Sequence, residues 1–304
     1  MPEPQDRDNA AYVRRVHDKG LRFDLRTMSR RRLLAGLGGA GALAVLAGCG
    51  AEEATTTTGS PATAPASAAT LAEVASETAG PYPADGSNGP DARTLDGIVR
   101  RDIRSSFGDA SSTAEGVPLE FSLVVEDLNG AAVTGAAVYA WHCDREGRYS
   151  LYSDGITDQN YLRGIQPTDG SGTVSFTSIF PACYSGRWPH IHFEVYGSVG
   201  DATSGAGPIV KTSQIALPQD AAEAVYATDG YSRSVANLGQ VSLATDNVFG
   251  DDSAATELAT VTGSVNEGYT ATLTIAIDPS GAETGGGAPP VAGPGGPPKA
   301  VSTA

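Results

Sequence analysis

From Pro118 to Ile277 the chain breaks into short β-prone runs closed by glycine-bearing turns, and this pattern restricts the fold to packed sheets. Pro118 to Glu126 alternates apolar and polar side chains with the two-residue period of a half-buried strand, then meets a turn sequence over Asp127 to Gly130. Gly135 to Cys143, Gly172 to Phe180, His190 to Tyr196, Ile209 to Ala216 and Tyr269 to Ile277 are further such runs. Only Gln219 to Ala227 reads as a helix, and a short one. The expected fold is all-β: a β-sandwich of mostly antiparallel strands with few short helices.

The flanks are of a different character. Paired arginines at Arg30 and Arg31 precede Leu33 to Gly48, an Ala/Gly/Leu stretch too short for the ~20 residues that span a bilayer as a helix. Residues 1–48 therefore read as a signal peptide, with arginines resembling a twin-arginine export signal. The stretch ends at Leu46, Ala47, Gly48 and Cys49, which resembles a bacterial lipoprotein processing site with Cys49 lipidated. The expected location is the outer face of a bacterial cytoplasmic membrane, or secreted. Residues 49–70, poor in large apolar side chains, read as a flexible tether, and 279–304, rich in Gly, Pro and Ala, as a tail that does not fold. The folded domain is expected over 71–278.

Charge narrows the partners. The chain carries 20 Lys and Arg against 35 Asp and Glu, a net of −15. Taking nine basic and five acidic residues away with the leader leaves 11 against 30, a net of −19. Such a surface offers no clustered cations for a nucleic-acid backbone or an anionic bilayer, so the membrane is approached only through a lipid on Cys49. Three cysteines are too few for a disulfide-dense scaffold or a four-cysteine zinc module.

Beyond the leader there are three histidines, His142, His190 and His192. In a strand, His190 and His192 face one side, a common way to offer two nitrogen ligands to a metal. Two packed histidines are the plain alternative. Tyr184 lies six residues upstream and Tyr149 further back, with no Asp or Glu between Tyr184 and His192. Zinc favours His with Cys or carboxylate, and calcium favours carboxylates. Two phenolates with two imidazoles suit a hard trivalent ion, chiefly Fe(III). Each tyrosine taken singly reads equally as a half-buried strand aromatic with its hydroxyl bonded.

The stretch Val138 to Tyr196 resembles the intradiol ring-cleavage dioxygenases of the catechol and protocatechuate 3,4-dioxygenase type. The resemblance rests on an ordered set: Val138 to Asp144 with Gly147 to Ser150; Tyr161 to Gly164 with Thr168 and Asp169; Phe176 to Pro181 with Tyr184; and Arg187 with His190 to His192. Upstream, Thr78 to Pro83 and Arg101 to Ile103 are similar to further family elements. The match covers about 80 to 217.

The resemblance implies one non-haem Fe(III) per chain held by Tyr149, Tyr184, His190 and His192, with Tyr184 and His192 axial and Tyr149, His190 and a hydroxide equatorial. It implies a catecholic substrate bound as a dianion, with Tyr184 and the hydroxide leaving and taking its protons. Both atoms of O2 then enter between the hydroxyl-bearing carbons to give a cis,cis-muconate-type product. Arg187 would stabilise charge on the ring, and Gln214 matches the family's glutamine after the histidine strand, here beyond an insertion at 197–208. Gly80, Pro81 and Tyr82 would border the pocket. His142 reads as a packed strand histidine. If both tyrosines meet at iron, Cys143 and Cys183 come close, and in an oxidising compartment a Cys143–Cys183 disulfide is expected over two buried thiols.

Catechol-type members carry a dimerising helical segment ahead of the sandwich. Here only the tether and a short piece, Leu71 to Glu77, precede Thr78, so that dimer is not expected and the oligomeric state is open. Past Leu217, two strand-like runs would complete the sandwich or cover the pocket. Two other readings share the fold: an aromatic- or carbohydrate-binding surface module without turnover, and a metal-binding protein whose pocket the 197–208 insertion blocks.

Overall fold

The computed structural model describes residues 70–283. The leader, Cys49, the tether up to residue 69 and the tail from residue 284 lie outside the described residues.

Among the described residues eight strands form two four-stranded sheets, the all-β sandwich expected from the runs. In chain order they are β1 (Pro118–Asp127), β2 (Ala137–Trp141), β3 (Arg163–Pro167), β4 (Thr173–Ile179), β5 (His190–Tyr196), β6 (Ile209–Ala216), β7 (Thr260–Ser264) and β8 (Gly268–Ile277). One sheet runs β4-β1-β8-β7 and the other β3-β2-β5-β6. Every pairing is antiparallel except β1 with β8. Helices are short: α1 (Val199–Thr203), α2 (Gln219–Tyr226) and α3 (Ser232–Leu238). Among the described residues no helix is long and apolar enough to cross a membrane.

The period-two pattern becomes the core directly. Leu119, Phe121, Leu123 and Val125 of β1 and Ala271, Leu273 and Ile275 of β8 point inward against Val138, Ala140, Ile191, Phe193, Val195 and Ile215 of the facing sheet. Apart from buried Ala276, the outward residues of β1 and β8 are half-buried or exposed. Every residue of β2 and β5 is buried, because a second layer covers their outer face. That layer combines Ala79, Ala84, Ala92, Tyr149 and Tyr152 with the outward Tyr139, Trp141 and Tyr196.

Several boundaries differ from expectation. β3 follows Leu162, whose φ of 57° sets a sharp entry, and forms because β2 supplies its ladder. β7 is a largely exposed edge strand that, with β8, completes the first sheet. Folding continues past residue 278: Glu283 bridges Ile209, accepts from Thr212 N at 2.8 Å and lies 3.4 Å from Lys211 Nζ. The 197–208 insertion folds as α1, packed beside Tyr196 at the end of β5 remote from His190, so it does not cover the histidines. The segment ahead of Thr78 straps the two sheets together through Val74 N to Ala276 O and Glu77 N to Thr212 O.

Candidate active site

β5 carries the two histidines on the outer face of the doubly covered sheet. His190 Nε2 and His192 Nε2 lie 3.1 Å apart, and Tyr184 Oη lies 3.2 Å from His190 Nε2. His190 Nδ1 faces the Trp188 carbonyl at 2.5 Å, which assigns its proton to Nδ1 and aims the Nε2 lone pair into the cluster. His192 is held by ring stacking on Trp141, with centroids 5.0 Å apart and planes within 4°. Burial, then Arg187, holds His190 well below the usual imidazole range; burial, then His190, does the same for His192. Both rings are therefore neutral, the form that donates to a metal.

Two loops bring the tyrosines. Asp144 Oδ1 accepts from Glu146 N and Arg148 N at 2.9 and 3.0 Å, closing the turn that delivers Tyr149. Gly147, at a φ of 82°, lets this turn approach the other loop, since a Cβ there would stand 3.2 Å from Tyr184 Cβ. The Tyr184 loop is tied down at Cys183, whose N–H donates to Ser234 Oγ at 3.1 Å and whose carbonyl accepts from Asn237 Nδ2 at 2.8 Å. The Tyr149 and Tyr184 ring centroids are 6.0 Å apart, and those of Tyr149 and His192 are 6.2 Å apart. Tyr149 is buried and Tyr184 half-buried.

This set fits a bound cation. Tyr149 Oη is buried without a hydrogen-bond partner, and burial, then the adjacent Tyr184 hydroxyl, pushes its phenol well above the usual range. An orphaned buried hydroxyl costs free energy that a positive ion would offset by favouring the phenolate. Two neutral ring nitrogens at 3.1 Å suit neighbouring ligands of one ion at ~2.1 Å bonds. Among the described residues no group of three or more His, Cys, Asp or Glu is placed to hold a metal. The cluster is instead two imidazoles with two phenols.

Arg187 stands beside it. Nε donates to Asp246 Oδ2 at 3.0 Å, Nη2 to Gln214 Oε1 at 2.6 Å, and Nη1 lies 3.5 Å from His190 Nε2. Gln214, opposite His192 in the β5–β6 ladder, also donates to Thr78 O at 2.9 Å. That bond draws the upstream segment over the site. Gly80, at a φ of 70°, passes so close that a Cβ would stand 3.2 Å from His192 Cε1. Tyr82 stacks on Tyr149 with centroids 4.7 Å apart, and Asn88 Nδ2 holds Pro81 O at 2.6 Å. The structure thus brings Gly80, Pro81, Tyr82, Tyr149, Tyr184, Arg187, His190, His192 and Gln214 to one place.

His142 lies elsewhere, buried between the Cys143 carbonyl at 2.8 Å and Ser178 Oγ at 2.7 Å, with burial pushing it down to about 4. The expected Cys143–Cys183 disulfide is corrected: both are free buried thiols. Cys143 packs in the outer layer with Sγ on the Ala182 carbonyl at 3.6 Å. Cys183 packs in the inter-sheet core with Sγ on the Arg187 carbonyl at 3.3 Å. Asp246 was invisible in the sequence; it stands 59 positions from Arg187 in a segment with no motif, so no local signal points to the pair.

A family model described as Dioxygenase matches residues 98–202, which include all four clustered tyrosines and histidines. Among curated proteins the chain is similar to the chlorocatechol 1,2-dioxygenase of Rhodococcus opacus, 36% identical over 66 residues, which is 22% of this chain and 26% of that protein. The match thus spans about a quarter of that relative's length. Among solved structures the chain is similar to an intradiol ring-cleavage dioxygenase from Tetranychus urticae, at 23% identity over 70% of this chain and 98% of that one, TM-score 0.56. A second dioxygenase crystal structure matches at 22% identity over 70% and 97%, TM-score 0.55. These two structural likenesses bear on the fold alone. The matched segment carries the paired tyrosines and histidines, and the family model and the curated relative together support the intradiol ring-cleavage dioxygenase family for this part of the chain.

Proposed function

We propose that the protein is a non-haem Fe(III) intradiol dioxygenase that inserts both atoms of O2 between the hydroxyl-bearing carbons of a catecholic aromatic, giving a cis,cis-muconate-type product. The observation that carries this reading is the convergence of Tyr149, Tyr184, His190 and His192, with Tyr149 Oη orphaned in the interior. These four residues would hold one ferric ion. When bound, the ion would supply Lewis acidity, drawing electron density from a catecholate so that a ring carbon reacts with O2.

The chain's own groups divide the remaining work. Tyr184, half-buried where Tyr149 is buried, takes up a substrate hydroxyl proton at Oη as the catechol enters. Arg187, fixed by Asp246 and Gln214, places a permanent positive charge beside the ring to stabilise anionic character there. Gly80, Pro81 and Tyr82 shape the approach over His192 and Tyr149.

The test is the visible spectrum and iron content of the purified domain, before and after catechol under nitrogen, followed by oxygen uptake. The reading expects a tyrosinate-to-iron band that shifts with catechol, and turnover on admitting O2. A colourless protein after ferric reconstitution would overturn the ligand set. A band without turnover on a panel of catechols would leave a binding module.

The sequence ahead of the domain supports an exported protein tethered by a lipid on Cys49. Cys49→Ser is then expected to move the protein from the membrane fraction to the soluble fraction.

A further inference from the structure

We propose that Asp246 is a positioning residue that aims Arg187 at the bound substrate, and that the excursion between β6 and β7 serves to deliver it. This rests on the dioxygenase reading above. The excursion leaves and rejoins the sheet at one point: Ala216 N donates to Glu257 O, and Ala259 N donates to Ala216 O, both at 2.9 Å. Its ends are pinned to a single residue, and its body reaches back over the loop that carries Tyr184 and Arg187. Ser234 and Asn237 of α3 bind the N–H and carbonyl of Cys183. Asp246 takes the other end of that loop, accepting from Arg187 Nε at 3.0 Å and from Trp188 N at 2.6 Å through Oδ2.

The carboxylate is itself rigid. Its Oδ1 accepts from Val248 N at 2.7 Å and Phe249 N at 3.0 Å, and its side chain is 0% exposed. Phe249 adds a ring 5.9 Å from the Arg187 guanidinium carbon, and the same ring meets His190 edge-on at 6.4 Å. With Nε held by Asp246 and Nη2 by Gln214, the guanidinium plane is fixed and Nη1 is turned toward His190. A buried ion pair contributes little net stability over an apolar packing of the same volume. Its place here is better accounted for by direction than by stability, since misplacing a group near the reacting atoms by about 1 Å costs about 100-fold in rate.

The test is Asp246→Asn. An asparagine can still accept from Val248 and Phe249 through Oδ1, but it turns an amide donor toward Arg187 Nε–H and Trp188 N–H. With catechol as substrate, D246N is expected to lower kcat about 100-fold, with KM nearly unchanged and iron content and the tyrosinate band retained. In the Arg187→Gln background the same substitution is expected to cause no further loss in kcat, because its effect passes through the guanidinium. A kcat within twofold of the unaltered protein would overturn the proposal. So would an equal loss in the R187Q background, which marks a general structural defect. If D246N does not fold, Asp246→Glu keeps the charge and moves the carboxylate by one methylene. A lowered kcat in D246E with the band retained supports positioning, and an unchanged kcat overturns it. Unaltered protein that binds no iron and turns over no catechol would sink the dioxygenase reading itself, a result distinct from an active protein indifferent to Asp246.

Discussion

The two sheets are written with similar runs and meet different surroundings. In β4-β1-β8-β7 the outward residues of β1 and β8 face or approach water, and the sheet contributes only to the core. In β3-β2-β5-β6 both faces of β2 and β5 are covered. The contrast teaches what a second layer makes possible. A polar group on a wet face is satisfied by solvent, whereas one sealed under Tyr149, Tyr82 and the 78–93 segment must find a protein partner or an ion. Neighbouring residues of β5 share this division: Ile191 and Phe193 build the core, while His190 and His192 build the site.

The sharpest way to break this contrast is on the covered face. His192→Ala is expected to abolish the tyrosinate band and lower kcat/KM by more than about 100-fold, beyond the 10- to 100-fold typical of residues behind the ligands. Iron analysis and steady-state kinetics check it, and retained iron with full activity would remove His192 from the ligand set. One residue along, on the other face, Phe193→Ala is expected to cost about 3–5 kcal/mol in denaturant unfolding, with the folded fraction keeping its visible band. Loss of the band at full stability would mean that the two faces are not separable.

A smaller effect concerns the strap beside β6. Both carboxyl oxygens of Glu257 are buried without partners. Burial first, then Asp252 and Asp251, pushes its acid from 4.5 to about 8. Between those values the folded chain holds a proton that the unfolded chain has released, so folding binds a proton and stability falls as pH rises through that window. Glu257→Gln is expected to flatten this slope and to raise stability at pH 8 by at least about 1 kcal/mol while changing little at pH 4. Glu77, pushed to about 9 chiefly by burial and then by Glu257, keeps a residual slope. An unchanged pH profile of chemical denaturation would refute the assignment. The least effect is expected on the wet sheet. Arg101→Ala removes the exposed Arg101–Glu120 pair at 3.0 Å and should change stability by no more than about 0.5 kcal/mol. A larger change would show that the open face carries more than solvated charge.

Legibility followed the range of the signal. β1, β5, β6 and β8 were readable because alternation and β-branching act within a few residues. β3 contains Gly164 and ends at Pro167, and only its pairing with β2 makes it a strand. Of the two strand-like runs past Leu217, β7 found its place only through pairing with β8, because an exposed edge carries no apolar alternation. Glu283 sits in a stretch whose composition argues against folding, yet its carboxylate caps the β6 edge at Thr212. The histidine pair was visible by spacing alone, while Tyr149 and Tyr184 stood out only through the ordered resemblance, since a lone tyrosine in a strand-rich chain carries no local mark. The disulfide expectation met a different outcome: Cys143 Sγ rests on the Ala182 carbonyl and Cys183 Sγ on the Arg187 carbonyl, and both thiols are free.

By itself the sequence determined the sandwich class, the inward and outward faces of the long strands, and the side on which His190 and His192 project. These follow from the two-residue period, which is a property of the extended backbone. The tertiary structure alone decided that Asp246 meets Arg187 across 59 residues, that Thr78 and Gly80 fold over His192, and that both cysteines are free buried thiols. Those contacts are set by where loops of no fixed period come to rest against buried donors and acceptors, and only the packed whole specifies that.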